Sequence, residues 1–342
     1  MAYKQSMACF KSAWSTLLFH ALAIVIYMGI TCIILYASSL SSEKRHVHAL
    51  PVNNRMSLSS ESEKQHVDAL PVNNCTWLFD KYIPSAWETE WTTQVSSLQS
   101  DVCGNTHAEK SKAWIEQHAD DVLSHFRFTD SCVSKRSMLI AIEPLVGLTR
   151  HPYYCLHGEA YLVNKNYMFP ATGLANASRH LFFDVGASLY DEGAGGASQK
   201  WLIEQYPNTW DGIWGWEAAP LNPVDVWRRI PASLWPVYHW YNVPVDGDGN
   251  NPLRFIRAMA TRADFVVLKI DIDNSLLENA IMRELLGSTE TMELVDELYF
   301  EHHVDVAPMW PYWGRIPGTS LADTYKLFGE LRRRGVVAHS WV

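Results

Sequence analysis

Hydrophobic and polar positions divide this chain into distinct regimes. Residues 14–37 contain no Asp, Glu, Lys or Arg and are mostly apolar. At about 1.5 Å per helical residue they cover the roughly 30 Å core of a bilayer with some tilt, and the run exceeds the ~7–15 residues of a signal-peptide core. The pattern predicts an uncleaved transmembrane anchor behind a short cytoplasmic tail at 1–13. Residues 38–74 are polar. Within them, 42–54 recurs as 62–74, with changes only from Arg45 to Gln65 and from His48 to Asp68. One duplicated, proline-containing polar segment is too short for a solenoid and predicts a solvated, disordered stem.

Residues 75–180 read as a weakly helical lead-in segment. Trp114, Ile115, His118, Val122 and Phe126 fall near one helical face and suit packing. Pro144 and Pro152 exclude a long helix around the apolar stretch 138–147, which is expected to lie over a sheet. From 181 to 342 the pattern alternates. Strand-like runs are 181–185, 213–217, 237–245, 265–272, 297–301 and 336–342; helix-like runs are 198–206, 224–230, 252–261, 275–286 and 321–333. This alternation predicts an α/β domain with a doubly wound, mainly parallel, Rossmann-like sheet and right-handed crossovers.

Composition narrows the function. Of 342 residues, 48% are hydrophobic, enough for a sizeable core. The formal net charge of -9 and the lack of a basic stripe argue against a nucleic-acid partner. Lys4 and Lys11 precede the anchor, and Lys44 and Arg45 follow it, so the positive-inside rule does not orient it. Glycosylation sequons at Asn74 and Asn176 favour a lumenal body, as do Cys75, Cys103, Cys132 and Cys155, which allow two disulfides in three pairings. The expectation is a type II membrane protein of the Golgi or ER.

Candidate chemistry gathers where apolar strands end in charges. After the first strand, Asp184-Val185-Gly186-Ala187-Ser188 gives a glycine turn into a helix, where backbone N–H groups and a helix N-terminus suit a charged ligand. Glu217 ends the second strand, where an acidic residue commonly accepts hydrogen bonds from ribose hydroxyls. Asp246 follows the third and either meets an adenine amino group or closes a turn. Lys269, Asp271 and Asp273 alternate along the fourth and so share a face, needing partners if buried. Asp271 suits a general base, with Lys269 holding it ionised. Glu301-His302-His303 ends the fifth; His302 suits acid–base work or a substrate contact. With Asp271 and Asp273 these histidines also have metal-ligand chemistry, but the spacing matches no compact motif and no metal is assigned.

Phe183-Asp184-Val185-Gly186-Ala187-Ser188, Trp216-Glu217 and Val267-Leu268-Lys269-Ile270-Asp271-Ile272-Asp273 resemble the FkbM-type methyltransferases, over 181–342 only. The resemblance implies a class I methyltransferase sheet, S-adenosylmethionine as cofactor, and methyl transfer to a hydroxyl oxygen of a glycan or small molecule. It implies that Asp184, Gly186 and Ser188 lie around the methionine part, that Glu217 binds the ribose, and that Asp271 faces the methyl and the acceptor. The expected cofactor site also takes in Ala187, Tyr190 and Asp246, and the expected catalytic group Lys269 and His302. The family's second glycine near Ser188 is missing; glycines come later, at Gly193, Gly195 and Gly196. Trp310-Pro311-Tyr312-Trp313 is the best sugar-stacking segment.

Two other readings compete. Asp271-Ile272-Asp273 resembles the Asp-x-Asp metal and nucleotide-sugar site of lumenal glycosyltransferases, whose anchor, stem and body this chain shares. A tethered binding module without catalysis is the third; it does not explain the charged strand ends.

Overall fold

The computed structural model describes residues 77–98, 122–133, 135–146, 165, 168–172, 177–193, 197–206 and 210–341. The expected anchor, the stem, the sequon asparagines Asn74 and Asn176 and the face formed by Trp114, Ile115 and His118 lie outside these residues. Among the described residues no helix is long and apolar enough to cross a membrane.

Two sheets organise the described chain. The smaller is antiparallel, in the order β1-β2-β3, from β1 (Trp77–Ile83), β2 (Ser124–Asp130) and β3 (Ser137–Ile142). The larger joins β4 (His180–Val185), β5 (Gly212–Trp216), β6 (Tyr238–Tyr241), β7 (Phe265–Ile270), β8 (Glu297–Phe300) and β9 (Val337–Ser340). Its order is β6-β5-β4-β7-β8-β9, and every pairing is parallel. The chain winds outward from β4 to β6, crosses back to the other side of β4, and winds outward again to β9. The direction reverses between β4 and β7, which is where an open parallel sheet leaves a ligand crevice at its carboxyl end.

The doubly wound parallel sheet agrees with the sequence pattern, while the lead-in agrees only in its helix Ala86–Leu98. Residues expected to be weakly helical form β1 and β2, and the stretch expected to lie over the sheet is β3. The reason is visible in β2, where Ser124, Phe126, Phe128 and Asp130 are buried and alternate with half-buried His125, Arg127 and Thr129. That is period-two chemistry, which a helical template across 111–126 obscures at Phe126. Smaller differences occur at strand ends: β6 stops at Tyr241, because Pro244 follows and the chain turns through Asp246.

Helices cover both faces of the large sheet. On one face α2 (Ser198–Gln205) buries Leu202 and Ile203, and α3 (Pro223–Arg229) buries Val226, against Phe182, Ile213 and Val267. The small sheet adds Phe126, Phe128, Ile140 and Ile142 to this cluster. On the other face α4 (Pro252–Met259), α5 (Ser275–Gly287) and α8 (Leu321–Arg333) pack on Phe183, Val185, Leu268 and Ile270. Helix α1 (Ala86–Leu98) joins them through Trp87 and Trp91, one helical turn apart. Two very short helices, α6 (Thr289–Met292) and α7 (Trp310–Trp313), lie in connections. Helix starts follow capping chemistry: Asn222 and Asn251 cap helices that begin with proline, and Ser320 with Asp323 forms a capping box. Cys132 is disulfide-bonded, and the other five cysteines lie outside the described residues.

A buried polar network fastens the small sheet to the large one. Arg332 of α8 donates to the Ala338 carbonyl at 2.9 Å, the Tyr82 hydroxyl at 3.0 Å and the Glu143 carbonyl at 2.9 Å, and pairs with Glu88 at 3.3 Å. Glu88 also accepts from the Tyr82 and Ser124 hydroxyls and from the Leu145 N–H. His339 of β9 bridges Glu143 at 2.8 Å and Glu297 at 2.9 Å. Burial works against charge on His339, but Glu143 and Glu297 outweigh it and raise its pKa from 6.5 to about 9. A raised folded pKa contributes stability that is fully present below the unfolded value and is lost as pH rises through the folded value. Denaturant unfolding should therefore show stability falling between pH 6.5 and about 9, with a shallower fall in His339→Gln. Equal slopes in the two proteins would contradict this role.

Candidate functional site at the sheet reversal

The site starts from one row of side chains. In register across the sheet, Gly215, Asp184, Lys269, Tyr299 and His339 lie side by side on β5, β4, β7, β8 and β9. Asp184 and Lys269 are the pair at the reversal point, and both are buried. Lys269 Nζ lies 3.1 Å from Asp184 Oδ1 and 3.5 Å from Asp271 Oδ2, and donates to the Gly186 carbonyl at 2.9 Å. The ammonium therefore has one hydrogen-bond acceptor and two carboxylates within ion-pair distance. Burial opposes the charge on Lys269, but Asp184 and then Asp271 outweigh it and leave its pKa above the usual lysine value.

Asp184 is positioned from below. Its other oxygen accepts from Gln199 Nε2 at 2.8 Å, and Gln199 in turn accepts from the Tyr238 hydroxyl at 2.6 Å. Fully buried, Asp184 supports the turn rather than lining the crevice. Asp271 sits above Lys269, with one quarter of its side chain exposed. The Trp341 indole N–H donates to it at 3.0 Å, and its own N–H joins the Val185 carbonyl at 2.9 Å. Burial is the main cause of its raised pKa; Lys269 opposes the rise and the neighbouring Glu301 carboxyl adds to it. A carboxylate with a raised pKa at a strand end can take up a proton.

The glycine turn is held together by its own backbone. Gly186 has φ 86°, and a Cβ there would collide with the Asp271 carbonyl oxygen. Glycine is thus required for the β4 and β7 ends to approach each other. Sequence reasoning offered these N–H groups to a ligand. In the structure those of Gly186 and Ala187 both donate to the Trp216 carbonyl, at 3.0 and 2.9 Å, because β5 ends beside the turn. Ser188, at φ 53°, donates its N–H to Glu217 Oε2 at 2.9 Å. The other Glu217 oxygen accepts from the Ala219 N–H at 2.7 Å. An ionised carboxylate offers about four lone-pair positions, so Glu217 keeps about half its accepting capacity beyond those two bonds.

Other expected site residues are placed differently. Tyr190 packs into the apolar cluster with Phe182 and Leu202. Asp246 accepts from the Asp248 and Asn250 N–H groups and is exposed, so it closes a turn. His302 was expected beside Asp271. Its Nδ1 instead lies 2.8 Å from the Thr324 hydroxyl of α8, and burial with the neighbouring His303 lowers its pKa to about 4. Adjacent residues of an extended segment point to opposite sides, so only one of the two histidines can face the β7 end. That one is His303, which lies 3.2 Å from Glu301 and 3.0 Å from Glu278. Burial pulls its pKa down, but Glu278 and Glu301 outweigh this and raise it to about 10.

Sequence reasoning missed Trp341, Gln199 and Glu278. Trp341 carried a usable signal, since it continues the β9 parity of Val337 and His339 onto the Lys269 face. Gln199 and Glu278 act through tertiary contacts that no local pattern marks. Beyond the β8 end, Trp310 is partly exposed, with the Arg315 guanidinium 4.2 Å from its ring centre and its N–H donating to Asp305 at 2.8 Å. Comparison with family profiles, curated proteins and solved structures gives no match.

Removing the buried ammonium leaves two carboxylates without their counter-charge, which typically costs about 3–5 kcal/mol. Lys269→Met should be destabilised by that order in a denaturant melt, and Lys269→Met with Asp184→Asn should recover part of the loss. A single variant as stable as the parent would contradict the pairing.

Proposed function

We propose that this chain is an S-adenosylmethionine-dependent O-methyltransferase of FkbM type, acting on a hydroxyl of a glycan or other small molecule. The observation that carries the reading is Glu217 at the β5 end, fixed by two backbone N–H groups and still able to accept from two ribose hydroxyls, with only β4 between it and the strand of the Lys269–Asp271 pair. S-adenosylmethionine, when bound, supplies a methyl group on a sulfonium. The Ser188 turn and Glu217 would hold its ribose end, leaving the reacting end over the carboxyl ends of β4 and β7 beside the Asp271 side chain. Asp271 would take the proton of the acceptor hydroxyl as that oxygen receives the methyl group. Lys269 and Trp341 keep that carboxylate aimed. Orientation and proton removal are most of what such a transfer asks of a protein.

Trp310, braced by Arg315 and Asp305, suits stacking against a sugar ring. The disulfide at Cys132 supports an oxidising compartment, and with the apolar run 14–37 and the sequons it supports a type II protein with its catalytic domain in the Golgi or ER lumen. Glycosyl transfer is the weaker reading, because Asp271 is engaged by Lys269 and Trp341 rather than paired with Asp273 as an Asp-x-Asp ligand set.

Calorimetric titration of the purified full-length chain should show S-adenosylmethionine binding that falls at least about tenfold in Glu217→Ala, in line with ~1.5–3 kcal/mol for charged hydrogen bonds. Asp271→Asn should keep the binding and lose turnover on glycan acceptors. No S-adenosylmethionine binding, with manganese-dependent binding of a nucleotide sugar, would replace this reading with glycosyl transfer.

A further inference from the structure

Past the ends of β7 and β8, a second group of side chains converges beside Asp271. His303 Nε2 lies 3.2 Å from Glu301 Oε2 and 3.7 Å from Asp273 Oδ1. One ligand atom from each of the three lies within 4.8 Å of the others. Ligands held about 2.0–2.2 Å from an ion stand about 3–3.5 Å apart in tetrahedral or octahedral geometry, so this spacing is near that of a coordination shell.

The support behind His303 is an independent observation. Its Nδ1 lies 3.0 Å from Glu278 Oε2, a carboxylate that is almost fully buried. The other Glu278 oxygen accepts the Ile272 N–H at 3.0 Å, and Ser275 Oγ stands 3.2 Å from the same Nδ1. Metal-bound histidines characteristically donate their second ring N–H to such a carboxylate, which fixes the tautomer and aims the Nε2 lone pair. Here that lone pair would point at the place where two carboxylates also converge. Either a proton on Nε2 or a cation can bridge this imidazole and the two carboxylates, and a cation binding there would release that proton. Asp273 is 88% exposed at its side chain, so the point opens to solvent and an ion can enter.

We propose that Asp273, Glu301 and His303 form a divalent-cation site of the manganese or zinc type, with Glu278 as the outer carboxylate that orients the imidazole. One imidazole with two carboxylates suits a first-row ion, whereas calcium takes six to eight oxygens. Three protein ligands leave coordination positions open. On the methyl-transfer reading, on which this role rests, those positions accept an acceptor bearing two neighbouring hydroxyls, and the ion makes the reacting hydroxyl more acidic next to Asp271.

The test titrates Mn2+ alone into chelator-treated, full-length chain and follows free Mn2+ by its electron paramagnetic resonance signal. One saturable site per chain is expected, with no displacement by equimolar Ca2+. Asp273→Asn and His303→Gln should abolish saturable binding, and Glu278→Gln should weaken it by about 10–100-fold. Asp273→Asn is the decisive variant: the side chain is exposed and asparagine tolerates the left-handed backbone at φ 52°, so its melt should match the parent. Absence of a saturable site, displacement by Ca2+, or parental binding in a fully folded Asp273→Asn would overturn the proposal. No S-adenosylmethionine is present in this titration. A chain that takes the ion but never S-adenosylmethionine would therefore lose the methyl-transfer reading and keep the cation site.

Discussion

One buried ammonium group organises the carboxyl end of this sheet. Lys269 sits where the strand order reverses; it donates to the Gly186 carbonyl in the turn after β4 and pairs with Asp184 on β4 and Asp271 past the end of β7. A buried charge in a low-dielectric interior is tolerated only when it is paired. The two central strands are therefore locked together at the point where an open parallel sheet would otherwise gape. Gly186 completes the lock by letting the turn approach the Asp271 backbone.

The same row of the sheet carries polar groups further than the crevice. Tyr299 and His339 follow Lys269 in register, their rings stacked at a centre-to-centre distance of 4.5 Å, and His339 connects through Glu143 to Arg332 and the small antiparallel sheet. Glu297 accepts from His339, from the Tyr299 hydroxyl and from the Ala171 N–H. Charge on one face of a sheet whose strands are otherwise apolar thus serves two ends. Towards β4 it shapes a site, and towards β9 it attaches a second layer of structure. The Trp341 side chain stands between these roles, packed edge-on against Tyr299 and donating to Asp271.

Much of this was legible in the sequence. The six parallel strands and their helices follow from apolar runs whose buried positions continue on both faces, and the charged strand ends at Asp184, Glu217, Lys269 and Asp271 mark the right end of the sheet. Three things were not legible. The period-two pattern of β2 is short and carries His125 and Arg127 on its outer face, so a helical template competes with it. The division of labour within a charged cluster depends on register, which decides that Asp184 is buried support while Asp271 reaches the surface. For His302 and His303, direction along an extended segment decides which faces the β7 end, and Glu278 becomes relevant only once α5 has docked beside them.

The central claim is that the crevice set by Lys269 brings a ribose-bearing methyl donor and a hydroxyl acceptor together at Asp271. A crystal structure of the full-length chain with S-adenosylhomocysteine and Mn2+ tests it most directly. The account predicts ribose hydroxyls on Glu217, the sulfur facing the Asp271 side chain, and the ion on Asp273, Glu301 and His303. A nucleotide bound elsewhere, or one whose ribose avoids Glu217 while the β4–β7 crevice stays filled by side chains, would contradict it.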